Sequence, residues 1–306
     1  MGVERRIAEA SSVRAFFQEQ WQHLTQMLDA DGYLPGVSDS QSLGEAVDMV
    51  VQGTDARVRA VNSYKKRLRS GTRVLLEHID GMVNQMPEPL KLSRQNFVYD
   101  PQVSAFFSSM DEIEKLCFQS QDLNQYIATA HTTNTGSFFA LLFVKYMEKE
   151  FYGNKLQGDI VQRDIKQTQV IFTGHKFIAP SRNGIEIRQA LKQVLFENVI
   201  EHLKVVLAHR RQEEAQQTTS IVVDTSGMQT LNNPVEYLNT LVELLEMPLD
   251  LVRLHESTVR LNKMGMKLSD SDDTKGDEIR LNNLEIGEDY TGLLMLTEIP
   301  WDSISS

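Results

Sequence analysis

The chain of 306 residues has one cysteine, two tryptophans and eight prolines. A lone Cys117 excludes an intrachain disulfide framework and any thiolate cage for a metal, and it fits a reducing compartment. Long apolar runs are missing too. The longest, Phe138 to Val144, falls well short of the roughly 20 residues that cross a bilayer. The first residues, Met-Gly-Val-Glu-Arg-Arg-Ile, lack the apolar segment of a secretory leader. The expectation is a soluble cytoplasmic protein with no membrane partner. At 41% hydrophobic and 24% charged residues, the composition also excludes disordered and collagen-like chains.

Positive charge is outnumbered, 31 Lys and Arg against 42 Asp and Glu, for a net charge of −11. The imbalance is uneven. Residues 1–152 carry −4, residues 153–212 carry +5 and residues 213–306 carry −12. A basic middle and an acidic end can attract each other within one molecule. Local patches nevertheless decide binding over about a Debye length, roughly 8–10 Å.

Apolar residues at helical spacing predict a helix over 4–30, from Ile7 to Leu28. Ser42 and Glu45 form a capping-box signature that opens a second helix. It is expected to run to Met86, before Pro87-Glu88-Pro89. Within 42–86, positions 47, 51, 54, 58, 61, 65, 68, 72, 75, 79, 82 and 86 alternate steps of four and three, and most are apolar. A sustained 3.5-residue repeat is a coiled-coil seam. The span would be about 65 Å. It can serve an intermolecular partner or pack inside its own bundle, and Gly71 is a place for a break.

Beyond Pro101 the spacing predicts another helix, with Phe138–Phe151 as a further one, apolar all round at its start and hence buried. Two short strands, Thr168–Thr173 and Lys176–Ala179, flank a turn at Gly174-His175, and a helix from Ile185 to about Glu214 follows. A strand is expected at Ile221–Val223 and a helix at Pro234–Glu246, with a second helical piece to about Met266. A hairpin of Ile279–Ile286 with Leu293–Ile299 closes the chain. The expected fold is therefore α+β and predominantly α-helical. It has an N-terminal helical region 1–152, a basic strand-strand-helix segment 153–212, and an acidic helical region 213–306 ending in the β-hairpin.

The sharpest cationic feature is Arg57, Arg59, Lys65, Lys66, Arg67, Arg69 and Arg73, with no acidic residue from Ala56 to Leu76. Such a stretch serves phosphate binding by counterion release, an acidic protein partner, or internal pairing. A second cluster, His202, Lys204, His209, Arg210 and Arg211, sits near a helix end, where cations suit the macrodipole.

Catalytic motifs are approached and missed. Leu195–His202 with Glu197 and Asn198 resembles the Glu-Asn helix of the histidine-kinase-type ATP-binding fold, but Ser226 stands where its next motif has Gly. Asp224-Thr225-Ser226-Gly227-Met228 is similar to the metal motif of von Willebrand A domains, with Met228 at the second Ser position. Asp164-Ile165-Lys166 with Asp159 has the Asp-x-Lys element of metal-dependent nucleases. A calcium loop opening at Asp270 has Lys275 and Leu281 where Gly and Glu are required. Gly153 to Gly158 has phosphate-loop spacing, but Asp159 replaces the Lys. His175 is the one histidine in an expected strand turn.

No cofactor or metal site is expected. The leading functional expectation is a non-catalytic interaction subunit or adaptor of a multiprotein assembly, docking or self-associating through the long helix. Nucleic-acid binding through 57–73 is the second, and a metal-dependent hydrolase or nuclease the third.

Overall fold

A computed structural model describes residues 40–130, 136–157, 160–220, 231–269, 275–288 and 290–304. Along the chain the elements are α1 (Ser40–Gly53), a 3-10 turn (Ala56–Ala60), α2 (Tyr64–Asn84), β1 (Leu90–Lys91), α3 (Arg94–Tyr99), α4 (Pro101–Phe106), α5 (Met110–Gln119) and α6 (Gln121–Ala130). There follow β2 (Ser137–Gln157), β3 (Ile160–Ser181), α7 (Gly184–Ser220), α8 (Pro234–Leu245), α9 (Pro248–Leu251), β4 (Val252–Leu261), β5 (Asp277–Ile286) and β6 (Tyr290–Pro300). The expected helix over 4–30 and the strand at 221–223 lie outside the described residues.

The expectation of a predominantly α-helical chain with a long coiled coil is overturned. The described residues are 53% helix and 31% strand. The span 42–86 is two helices separated by a 3-10 turn. Asp55 caps that turn, accepting from the Arg57 backbone N–H at 2.9 Å, and Ser63 adopts a left-handed conformation with φ 64°. Both features stop a helix from propagating. Phe138–Phe151, expected as a helix, lies in β2. Its apolar run is buried because β2 is an inner strand, covered on both faces and paired on both edges. The expected helical piece after Pro248 ends at Leu251 and gives way to β4.

The chain forms two compact units, each drawn from three stretches. The first comprises residues up to 86, 188–253 and 285–290. Here α1, α2, α7 and α8 pack around Val47, Val51, Leu68, Leu75, Ile79, Leu195, Val199 and Leu241, all buried. The apolar repeat thus faces its own bundle. Gly71 does not break α2. It lets α8 approach, since a Cβ there would lie 2.8 Å from Leu245 Cβ. Arg188 donates to the carbonyls of Val83 (2.6 Å) and Met86 (3.2 Å), which satisfies orphan groups at the C-terminal end of α2. Lys192 forms an ion pair with Asp80.

The second unit comprises residues 87–187, 254–284 and 291–306. Its sheet runs β3-β2-β6-β5-β4, with β1 added parallel to β6 at Leu90↔Thr297. Both β2–β3 and β2–β6 are antiparallel. The turn after β4 reaches the opposite edge: Val170 N–H donates to Gly265 O (2.9 Å) and Lys267 N–H to Thr168 O (2.8 Å). The sheet therefore curls on itself around Phe138, Leu142, Phe177, Leu281 and Met295, with Phe106 and Ile113 of the covering helices in the same cluster. No helix among the described residues is long and apolar enough to cross a membrane.

Candidate interaction surfaces

In the first unit Arg57 and Arg59 sit on the 3-10 turn, while Lys65, Lys66, Arg67, Arg69 and Arg73 lie on α2. All seven are exposed, because α2 turns Leu68, Gly71, Thr72, Leu75 and Leu76 inward. Some of the charge is satisfied internally. Arg57 donates to Asp55 (2.6 Å), Lys65 to Asp48 (2.7 Å), and Arg67 to the neutral side chain of Asn239.

Asp55 joins the two cationic clusters of the sequence. Its carboxylate also accepts from Arg211 Nη2 at 3.0 Å, and the Arg211 guanidinium lies 5.1 Å over the Tyr237 ring. The Arg57 side chain, then the Arg57 backbone N–H and Arg211, hold the Asp55 carboxyl down to about 2 against an opposing effect of burial. Sequence reading missed Asp55 and Asn239, since nothing local marks their partners.

The second unit carries a surface that sequence reading also missed. β2 pairs with β6 only from Ser137 to Val144, yet it continues to Gln157 paired with β3. The departure point is marked by a bulge at Gly174-His175, where Gly174 has φ 63° and the register shifts between Phe143 and Lys145. The expected turn at these residues is this bulge within one long strand. Beyond it, β2 and β3 continue as a ribbon about 40 Å long. The turn after β4 lies beside β3 at Thr168–Val170, and among the described residues only two strands run from Phe151 onward. Phe172 anchors its base edge-on to Phe106, with ring centroids 4.7 Å apart.

Opposed residues share a face. Tyr146, Glu148, Glu150 and Tyr152 line one side, and Met147, Lys149, Phe151 and Gly153 the other. Met147 is 56% exposed and Tyr152 73%. Lys267 reaches Glu148 (2.6 Å) and Lys166 reaches Glu150 (2.8 Å). Among the described residues, the outer edge of β2 from Lys145 onward has no strand beside it.

His175 is half-buried with its ring 5.1 Å from Phe107, and its Nε2 has no partner. Burial lowers its pKa, opposed by the Glu112 charge and a backbone hydrogen bond with Phe106. Asn198 donates back to Val194 O in its own helix (2.6 Å), and Glu197 accepts from Gln193 (3.0 Å). Asp164 is exposed on the ribbon, and its neighbour Lys166 is paired with Glu150. Asp159, Asp270 and 224–228 lie outside the described residues. Among the described residues no cluster of His, Cys, Asp and Glu fits a metal ion.

A broad open cleft of about 1270 Å³ in the second unit is lined by Lys91, Ser93, Tyr99, Ser137 and Trp301, among others. Its serine hydroxyls are engaged: Ser93 caps α3, Ser137 donates to Glu298 at 2.8 Å and Ser303 to Asp302 at 3.3 Å. In comparisons with protein-family models, curated proteins and solved structures, nothing matches the chain.

Proposed function

We propose that the protein is a non-catalytic interaction subunit that self-associates through the free edge of β2. The supporting observation is the ribbon itself. A lone two-stranded hairpin is marginal in water, and an unprotected edge is a template for pairing. A ribbon that continues 13 residues past the last β6 pairing, with Met147 and Tyr152 largely exposed, is stabilised by an added strand.

The sequence of that edge favours a second copy of the same strand as the occupant. Two copies of β2 related by a two-fold axis at Phe151 set Glu150 opposite Tyr152, Lys149 opposite Gly153 and Glu148 opposite Asn154. No like charges meet. Moving the axis to Lys149 or Glu150 places that residue against itself. An axis at Tyr152 sets Lys149 against Lys155. Among axes from Lys149 to Tyr152 only the one at Phe151 avoids like charges, and it is also the one that overlaps the whole free edge from 145 to 157. Docking thus moves from the expected seam, which is buried in its own bundle, to the ribbon.

Light scattering of the purified chain tests this reading. A dimer is expected at micromolar concentration, with Phe151→Glu reduced to a monomer, because it sets two new carboxylates face to face. A monomeric parent chain, or a dimer that Phe151→Glu leaves intact, overturns it.

A further inference from the structure

The cationic surface of the first unit keeps charge in reserve after internal pairing. Arg57 and Lys65 discharge onto Asp55 and Asp48, but Arg59, Lys66 and Arg73 make no ion pair or hydrogen bond among the described residues. Arg210, also exposed, is in the same state. The Arg211–Asp55 bond ties the C-terminal half of α7 to the start of the 3-10 turn, so Arg210 adds to the cations that begin at Arg57. On α2, the steps of three and four from Lys66 to Arg69 to Arg73 keep these side chains on one exposed stripe.

We infer that this surface binds the phosphate backbone of nucleic acid without reading its sequence. Lys66 to Arg73 spans about 10.5 Å along the helix, close to three steps of roughly 3.4 Å along one strand of a duplex. No large apolar side chain is exposed between Arg57 and Arg73. That argues against a protein partner, whose interface has an apolar centre, and against base stacking. What remains is cation against phosphate, the contact that positions a protein without specifying sequence. The net charge of −11 does not oppose it at short range, because residues 56–76 contain no carboxylate and the two that the fold brings to these cations, Asp48 and Asp55, are taken up by Lys65, Arg57 and Arg211.

The experiment is fluorescence anisotropy of a labelled 20-base-pair DNA duplex with the full chain, from 50 to 200 mM salt. With about four phosphates engaged, affinity should fall on the order of a hundredfold across that range. The combined variant Arg59→Ala, Lys66→Ala, Arg73→Ala should weaken binding at least tenfold at 50 mM salt and flatten the salt dependence. Arg210→Ala alone should give a smaller loss in the same direction. A matched removal of exposed charge elsewhere, Lys115→Ala, Lys263→Ala and Lys275→Ala together, should leave affinity unchanged. Absence of binding at 50 mM salt overturns the inference. So does an equal loss from the matched variant, or tighter binding of a polyglutamate peptide, which would assign an acidic protein partner.

Discussion

The Arg211 guanidinium donates to the Asp55 carboxylate across 3.0 Å and 156 positions of sequence. Asp55 also accepts from the Arg57 backbone and side chain, so one carboxylate caps a turn and holds two arginines. Replacing it with Ala should cost about 1–3 kcal/mol at pH 7 through the lost cap and charge-assisted bonds. The pH dependence has a defined sign. Because the folded pKa of about 2 lies below the ordinary 3.8, the carboxylate stabilises the fold above about pH 4, and that contribution disappears as pH falls toward 2. After solvent screening it is about 1 kcal/mol. Urea titrations of the parent and Asp55→Asn should therefore converge between pH 5 and pH 2.5. A constant gap would show that the charge does not matter.

Two glycines in α2 should respond oppositely to the same change. Gly81 has nothing within 4 Å of an added Cβ, so Gly81→Ala should stabilise by about 0.5–1 kcal/mol through helix propensity. At Gly71 the new Cβ would sit 2.8 Å from Leu245 Cβ and 3.5 Å from the Leu245 backbone carbon. A Cβ neighbour cannot rotate away. Overpacking of about 1–3 kcal/mol should outweigh the propensity gain, leaving Gly71→Ala destabilised. Thermal melts of both variants check the pair, and equal shifts would mean that α8 yields freely.

Part of this was legible in the sequence. The three-four alternation picks out Val47, Val51, Leu68, Leu75 and Ile79, and all are buried. It could not reveal that α2 folds back onto the chain's own α1 and packs against α8, because a seam has the same spacing whichever helix fills it. The interruption was marked by Asp55, a good cap, but the repeat runs through Val58 and Val61 and conceals it. β2 was misread for a physical reason. Phe138, Ala140, Leu141, Leu142 and Val144 are buried on both faces of an inner strand, and such a run lacks the alternation that distinguishes strand from helix. The seven cations were found by composition alone. Which of them stay unpaired depends on Asp48, Asp55 and Asn239, and only folding places those residues.

His175 should impose a pH dependence of its own. Burial depresses its pKa below 6.5, so the unfolded chain takes up a proton that the folded chain resists. Stability is therefore lost as pH falls below 6.5 toward the folded value. His175→Phe keeps a ring against Phe107 and removes the unpartnered Nε2. It should gain stability relative to the parent between pH 7 and pH 5. Parallel denaturation curves across that range would show that His175 carries no such linkage.

The ribbon register can be tested with a single thiol. Cys117, the only cysteine of the chain, is buried, and burial pushes its thiol up to about 12, so it stays protonated and inert at neutral pH. A Phe151→Cys change then introduces one reactive thiol, at the residue through which the two-fold axis passes. Directly opposed residues of antiparallel strands hold their Cβ atoms about 4.5–5.5 Å apart, within reach of a short bifunctional thiol reagent. Cross-linked dimer should form in high yield from Phe151→Cys and much less from Glu148→Cys, whose copies would sit six positions apart in that register. Equal yields from the two would mean that the strands meet in another register or by chance collision, and exclusive cross-linking at Glu148→Cys would move the axis away from Phe151.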